Sequence, residues 1–532
     1  VYVGTHASSN PGKAALVMAG SGRTTTYAEL DEASLRLANL LTDAGLRPGD
    51  HLALLSDNRP EAMQVYWAAL RCGLYLTAIN WHLTVGEAAY ILEDCEATFL
   101  VTSAGVGDLG AALVGGATRL RRALAFGGEV GGHDSYEDAL AAASTAPLPS
   151  QPRGGDMLYS SGTTGRPKGV MVPLSGRQVD EPGDVLVGFV TGAFGVDAES
   201  VYLSPGPIYH AAPLRFCGAV QAVGGTVVML ERFEPAAALA AIDVHAVTHS
   251  QWVPTMFVRM LRLPEPVRAG LDGSSHRVAI HAAAPCPVEV KRAMIDWWGP
   301  ILAEYYSSTE GNGITFVDSP TWLEHPGTVG KALLGTVRIC ADDGSLLPAG
   351  EIGTVYFERE RRPFDYHHDP AETAGATHPG HPTWTTTGDI GKLDEEGFLY
   401  LTDRKAFMII SGGVNIYPQE IEDALALHPA VADVAVIGVP DPDMGEAVKA
   451  VVQPTEGVVA GPALAEEIVA FLGQRLARYK LPRSVDFVDE LPRTATGKLV
   501  KGRLRERYGA PTPTPSPGRR GTPDSHPPEQ GW

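Results

Sequence analysis

The chain has 532 residues, is 44% hydrophobic and 20% charged, and carries 62 Asp and Glu against 42 Lys and Arg, a formal charge of −20. That length allows roughly two to four globular units with large cores. Acidity on this scale repels nucleic-acid backbones and anionic membranes, which excludes a nucleic-acid-coating role but leaves room for a nucleotide held by a few local donors. Cys72, Cys95, Cys217, Cys286 and Cys340 form no CxxC pair, which argues against a disulfide framework or a cysteine-built structural zinc site. There is no apolar run long enough for a spanning helix and no basic-then-apolar leader, so the expected location is cytoplasmic, without an integral membrane segment.

In chain order, Thr26-Tyr-Ala-Glu29 fits a capping box, and Leu30, Ala33, Leu37 and Leu40 follow at helical spacing, predicting a helix that Leu46-Arg-Pro-Gly-Asp50 ends. Strand patterns at 51–55, 76–80 and 98–102 alternate with helical patterns at 59–71 and 85–94, the signature of a parallel sheet covered on both faces. The rhythm recurs with strands predicted at 201–203, 226–230, 246–250 and 278–282 and helices over 253–261 and 287–298. This is an α/β fold with a large body. From Gly330 to Phe357 short β segments and Gly/Pro turns take over, predicting a β subdomain over about 330–400. Beyond Asp403, a helix at 418–427, strands at 431–439 and 448–453 and a helix at 464–477 make a small α+β unit. The expected organisation is an N-terminal domain over 1–403, a mobile C-terminal domain over 404–508 and a Pro-rich tail over 509–532, too poor in apolar residues to repay its ordering entropy.

The stretch Tyr159-Ser-Ser-Gly-Thr-Thr-Gly-Arg-Pro-Lys-Gly-Val170 concentrates the chemistry. Gly162, Gly165 and Gly169 let backbone approach a ligand, Ser160, Ser161, Thr163 and Thr164 can donate to oxygen anions, and Lys168 adds a positive charge, a set suited to a polyphosphate. Gly-x4-Gly-Lys-Ser/Thr is absent, so this is not a Walker A loop. A flexible Gly/Ser linker is the alternative reading of the stretch on its own.

Four further stretches follow: Tyr305-Tyr-Ser-Ser-Thr-Glu-Gly311, Thr387-Gly-Asp-Ile-Gly391, Asp403-Arg-Lys-Ala-Phe-Met-Ile-Ile-Ser-Gly-Gly413 and Pro492-Arg-Thr-Ala-Thr-Gly-Lys498. With these motifs in this order, nearly the whole chain before the tail resembles the adenylate-forming superfamily, and within it the AMP-forming acyl-CoA synthetases. The resemblance implies that Ser160, Ser161, Gly162, Thr163, Thr164 and Lys168 cradle the β- and γ-phosphates of ATP. It further implies that Tyr306 stacks on adenine, Thr309 binds phosphate, Asp389 accepts the ribose hydroxyls and Arg404 contacts the nucleotide from the domain junction. Glu310, with Thr163, would hold Mg2+, and Lys498 would stabilise charge at the α-phosphate.

On the acid side, the resemblance places His210 beside the acyl channel, with Tyr209, Trp252, Ala283 and Ser307 in the substrate pocket. A packed histidine at 210 and core aromatics at 209 and 252 stay open as alternatives. Ser411, Gly412 and Gly413 would line the coenzyme A tunnel, and Lys405 and Ala406 would form the hinge. Arg478 and Lys480 would meet the CoA phosphates or remain solvated. Two departures stand out: Ser307 where the family often has Gly, and Ala406 where it usually has Asp or Lys. Arg215 near the presumed pocket leaves a small or polar substrate open. The implied reaction is ATP-dependent activation of a small-molecule carboxylic acid, then transfer to coenzyme A, by a monomer or homodimer. Adenylation of nitrite for N–N bond formation on an aryl amine, or an inactive nucleotide-binding relative, are the alternatives.

Overall fold

The computed structural model describes residues 2–160, 167–404, 407–412, 414–493 and 499–509. The expected capping box is present: Thr26 accepts from the Glu29 backbone, Glu29 reaches back to Thr26, and the helix Tyr27–Asp43 follows. Thr84 and Glu87 repeat the device on Val85–Asp94. The predicted strands near 51, 76 and 98 are His51–Leu55, Tyr75–Ile79 and Phe99–Ser103, paired in parallel. They belong to an eight-stranded sheet that also contains Gly155–Ser160, Lys168–Met171 and, at its edge, Asp365–Tyr366.

A second, nine-stranded sheet has a parallel centre running from Leu302–Tyr306 through Val278–His281, His249–Trp252, Val201–Ser204 and Thr226–Met229 to Ala14–Met18. One strand lies later than predicted. Residue 246 has a positive φ of 49° and turns the chain, so pairing begins at His249 instead of Ala246. Between the two sheets the helices Tyr27–Asp43, Pro60–Arg71 and Ala211–Val223 bury one shared core that takes Leu52, Leu76 and Phe99 from one sheet and Leu16, Tyr202 and Val227 from the other. Two polar groups inside this core are paired: the Trp67 indole N–H donates to Gln221 Oε1 at 2.8 Å, and the Arg71 guanidinium meets Asp31 at 2.6 Å. Such pairing removes the cost of burying them.

The β segments expected after residue 330 form a six-stranded sheet centred on Gly353–Glu358 and ending in Leu399–Arg404, whereas Lys331–Leu334 joins the edge of the nine-stranded sheet. Further on, Val431–Asp441 pairs with Gly445–Pro454 in a five-stranded sheet backed by Pro418–Leu425 and Pro462–Gly473. The last of these helices stops short of the predicted residue 477, and a single 3-10 turn, Arg478–Lys480, follows it. Residues 510–532 of the expected tail lie outside the described residues. Among the described residues no helix is long and apolar enough to cross a membrane.

An ion pair is buried in the larger body. Lys291 Nζ donates to Glu304 Oε2 at 2.6 Å, inside the nine-stranded sheet's outer layer, and also sits 4.8 Å from the Trp322 ring centroid. Burial raises the Glu304 pKa and the Lys291 charge opposes that rise. Removing one partner leaves an uncompensated charge in apolar surroundings. Lys291→Met should therefore destabilise the protein by about 3–5 kcal/mol in urea unfolding, and adding Glu304→Leu should recover part of the loss. Equal stability of Lys291→Met and wild type would contradict this account.

Candidate active site

The strands Gly155–Ser160 and Lys168–Met171 form an antiparallel hairpin in which Ser160 faces Lys168. Ser161, Gly162, Thr163 and Thr164 lie outside the described residues. The hairpin is anchored from two sides: Tyr159 donates to Asp94 Oδ2 at 2.5 Å, and the His367 backbone N–H donates to the Gly169 carbonyl at 2.8 Å. Lys168 Nζ meets Glu372 at 2.6 Å and lies 5.5 Å from the centroid of the Tyr366 ring. The Tyr366 hydroxyl in turn donates to Glu310 Oε1 at 2.9 Å, and Glu310 is 6% exposed. Tyr366, which sequence reasoning missed, thus brings Lys168 and Glu310 to one place.

Tyr306 ends the strand Leu302–Tyr306, and Thr309 and Glu310 lie just past it. They sit at the carboxyl end of a parallel sheet, where open α/β sheets bind ligands. The Tyr306 hydroxyl and Thr387 Oγ1 each donate to Asp389 Oδ2 at 2.7 Å. Asp389 is buried at the start of Asp389–Leu393 and lies opposite Arg404 in the strand register. The tyrosine and the aspartate expected on adenine and ribose are therefore direct neighbours. Ser307 donates to the Gly313 carbonyl at 2.8 Å and Ser308 to Asn312 Oδ1 at 2.7 Å, which ties off the loop carrying Thr309 and Glu310.

On the acid side, Tyr209 and His210 precede the helix Ala211–Val223, with ring centroids 4.5 Å apart. Asn58 fixes this approach by accepting from the Ile208 N–H at 2.8 Å and donating to the carbonyls of Gly206 and Leu230. The Tyr209 hydroxyl is buried with no hydrogen-bond partner among the described residues. Ala283 holds a left-handed backbone, φ 75°, a conformation costing a non-glycine residue about 1–2 kcal/mol. Trp252 is 1% exposed and packs against Phe257 and Trp298, its N–H donating to Ser250 Oγ at 2.6 Å. It occupies the core-aromatic position that the sequence left open.

Arg215 differs from its sequence-based expectation. Its guanidinium is clamped on Asp156 at 2.6 Å, and both terminal nitrogens donate to the Thr309 carbonyl at 3.4 Å. Burial works against its charge, but the Asp156 carboxylate outweighs burial and holds the Arg215 pKa above its ordinary value. Its charge is already neutralised, so it does not make the pocket selective for an anionic group. Its contacts join the strand Gly155–Ser160, the helix Ala211–Val223 and the Thr309–Glu310 loop.

In the C-terminal part, Ser411 is buried and the Gly412 N–H donates to the Met444 carbonyl at 2.8 Å. Gly412 has φ 58°, a left-handed conformation that favours glycine, and a Cβ there would push Met444 Cε aside. Lys480 pairs with Glu420 at 2.5 Å. Gly413, Lys405, Ala406 and Lys498 lie outside the described residues, as do the side-chain surroundings of Arg404.

Comparison with known proteins shows the family. The AMP-binding enzyme family matches residues 4–360 and the AMP-binding enzyme C-terminal domain matches residues 420–498. The chain belongs to the AMP-binding enzyme family. Feruloyl-CoA synthase from Amycolatopsis sp is 36% identical over 496 residues, covering 92% of this chain and 95% of that protein. A long-chain-fatty-acid–CoA ligase from Mycobacterium tuberculosis is 32% identical over 496 residues, covering 92% and 94%. The crystal structure of ATP-bound MatB from Rhodopseudomonas palustris superposes with a TM-score of 0.80 at 30% identity, covering 96% and 99%. The chain is thus an adenylate-forming enzyme of the AMP-forming acyl-CoA synthetase type.

The Arg215 clamp yields a prediction. Arg215→Met should keep the fold by circular dichroism yet lower acid-dependent ATP–pyrophosphate exchange about tenfold, equivalent to ~1.4 kcal/mol. Arg215→Lys should recover part of the rate, since an ammonium retains the charge without the bidentate fork. Wild-type exchange in Arg215→Met would remove the clamp from any positioning role.

Proposed function

We propose that the enzyme activates a ring-bearing carboxylic acid and passes it to coenzyme A. The acid's carboxylate oxygen attacks the α-phosphorus of ATP, the bond to the β-phosphate oxygen breaks, and an acyl-adenylate and pyrophosphate result. The thiol of coenzyme A then attacks the acyl carbon, its proton leaves to solvent or a base, and AMP departs. The observation that carries this reading is the meeting of Lys168, Tyr366 and Glu310 on one side and Tyr306 and Asp389 on the other, at the carboxyl end of one parallel sheet.

In this reading the hairpin from Ser160 to Lys168 holds the leaving phosphates, and Lys168 exchanges Glu372 for a phosphate oxygen. Tyr306, Thr309, Asp389 and Arg404 hold the nucleoside and its phosphates. Glu310 fits a Mg2+ ion, because it is a buried hard-oxygen ligand beside the phosphate hairpin. Glu310, together with Thr163, would hold the ion, which supplies charge neutralisation when bound. Lys498 is assigned to the developing charge at the α-phosphate, Ser411 to Gly413 to the pantetheine path, and Lys405 and Ala406 to the turn between half-reactions. The domain limits 1–403, 404–508 and 509–532 belong to the same proposal. Closing the site against water protects the acyl-adenylate from hydrolysis.

The ring-bearing substrate is supported by the feruloyl-CoA synthase relative and by the packing beside Arg215. There Phe189, Phe194, Phe216 and Tyr305 form one aromatic cluster, with Phe216 stacked on Tyr305 at 5.7 Å. This cluster lies in the core beside the clamp and, in this reading, supports the wall against which an aromatic acid would sit. Tyr209, with its buried unpaired hydroxyl, offers a hydrogen bond to a polar ring substituent. The five free cysteines fit a reducing, cytoplasmic setting. No observation favours nitrite as substrate or an inactive relative.

The test is ATP–pyrophosphate exchange over hydroxycinnamic, benzoic, fatty and amino acids and nitrite, with products read by mass spectrometry. Exchange is expected with an aryl acid, falling about a hundredfold or more in Lys498→Ala, and an aryl-CoA thioester is expected when CoA is added. Exchange with fatty acids alone would overturn the substrate class. Exchange without a thioester would overturn the acceptor.

A further inference from the structure

Three potential metal ligands that the proposed reaction does not use meet at the outer end of the phosphate hairpin. Glu96 lies in the turn after the helix Val85–Asp94, and His367 and His368 follow the edge strand Asp365–Tyr366, about 270 residues away in sequence. One nitrogen from each imidazole and one Glu96 oxygen all lie within 4.8 Å of one another. His368 Nε2 and Glu96 Oε2 are 3.5 Å apart, close to the roughly 3.4 Å between neighbouring ligands that tetrahedral bonds of about 2.0–2.1 Å produce. Arg119 holds the other Glu96 oxygen, Oε1, at 2.8 Å and so turns Oε2 towards the histidines.

His367 is oriented as a ligand. Its Nε2 is buried with no hydrogen-bond partner among the described residues. A buried imidazole nitrogen without a partner is available to a metal ion. Behind it, His51 lies 5.5 Å away by ring centroid, with its Nδ1 also buried and unpaired. Glu96 and His368 both adopt left-handed backbone, φ 54° and 53°, which is costly for residues with a Cβ and is found where geometry serves a site. His368 is 57% exposed and borders an open groove of about 740 Å³, which gives an ion a way in.

We propose that Glu96, His367 and His368 form a binding site for a borderline divalent transition metal of the Zn2+ type. Two imidazoles and one carboxylate select such an ion over Mg2+, so this site is separate from the one at Glu310. It contains no cysteine, and a fourth position stays with solvent. The bound ion would staple the turn at Glu96 to the strand whose Tyr366 reaches Glu310 and whose neighbour His367 holds Gly169, the base of the phosphate hairpin.

The experiment uses the full chain, stripped with EDTA and desalted, without nucleotide. Zn2+ is titrated by calorimetry, and Co2+ is followed by its visible absorption as a coordination probe. One equivalent bound at micromolar affinity or better is expected, with a low-coordinate Co2+ spectrum and a rise in melting temperature. Affinity should fall about tenfold or more in His368→Ala and in Glu96→Gln, and further in His367→Ala/His368→Ala. His368 is exposed, so its single variant keeps the fold and decides the matter even if the His367 change disturbs packing. Unchanged affinity in His368→Ala and Glu96→Gln, or no saturable binding below millimolar Zn2+, would overturn the site.

Discussion

Arg215 and Asp156 connect the parts of the molecule on which the proposed chemistry depends. Asp156 belongs to the eight-stranded sheet and Arg215 to a helix between the sheets, while the Thr309 carbonyl they reach lies past the end of the nine-stranded sheet. The two sheets have no strand in common, so their relative position depends on what lies between them. Apolar packing supplies adhesion but little direction, whereas a bidentate guanidinium–carboxylate pair is satisfied in one geometry. In the proposed reading the phosphate donors reside on the eight-stranded sheet and the nucleoside contacts on Tyr306 of the nine-stranded sheet and Asp389 of the six-stranded one, so an error between sheets would pull the phosphates away from the nucleoside. Misplacement by about 1 Å is enough to cost large factors in rate.

The chain's charge of −20 seems at odds with a site for a polyphosphate only if charge is counted over the whole molecule. Screening limits exposed charges to about 8–10 Å at ordinary ionic strength, so the ligand responds to its immediate donors. Locally, each cation is met by a carboxylate: Lys168 by Glu372, Arg215 by Asp156. These pairs differ in kind. Glu372 is 40% exposed and can return to water when phosphate takes its place, whereas the Asp156 side chain is 10% exposed and has no such exit. Lys168 is therefore suited to exchange partners during a catalytic cycle and Arg215 to keep its partner.

Much of the fold was legible because it rests on short-range rules. The Thr26–Glu29 capping box, the alternation of strands and helices, and the order of the motifs are all local features. The misplacement at 246–250 arose where Val247 and neighbouring residues look strand-like, but a left-handed residue at 246 turns the backbone first. The site's connections were less legible. Arg215 and Asp156 are 59 residues apart, Tyr366 and Glu310 are 56 apart, and neither pair carries a periodic signal. Tyr366 lies in a two-residue edge strand, too short to show any alternation. Asn58 was invisible for another reason: its work is done on backbone groups, which any sequence possesses.

The contact between the C-terminal unit and the larger body is polar and loosely packed, which suits the proposed turn between half-reactions. Arg262 donates to the Val431 carbonyl at 2.6 Å and to the carbonyl of Ala426, the residue capping the helix Pro418–Leu425. Burial lowers its pKa, with Asp433 opposing, but Arg262 remains charged near neutrality, like any arginine. A cation on the last carbonyls of a helix gains from the helix dipole, yet each such bond can be exchanged for water at modest net cost. Below it, Glu304 and Cys286 of the larger body and Tyr417 and Asp423 of the smaller line a cleft of about 270 Å³, so the surfaces there are not close-packed. A polar contact over an incompletely filled gap resists separation far less than a dry apolar seam of the same area. The buried Lys291–Glu304 pair beside the cleft stays within the larger body, so re-seating the smaller unit need not break it.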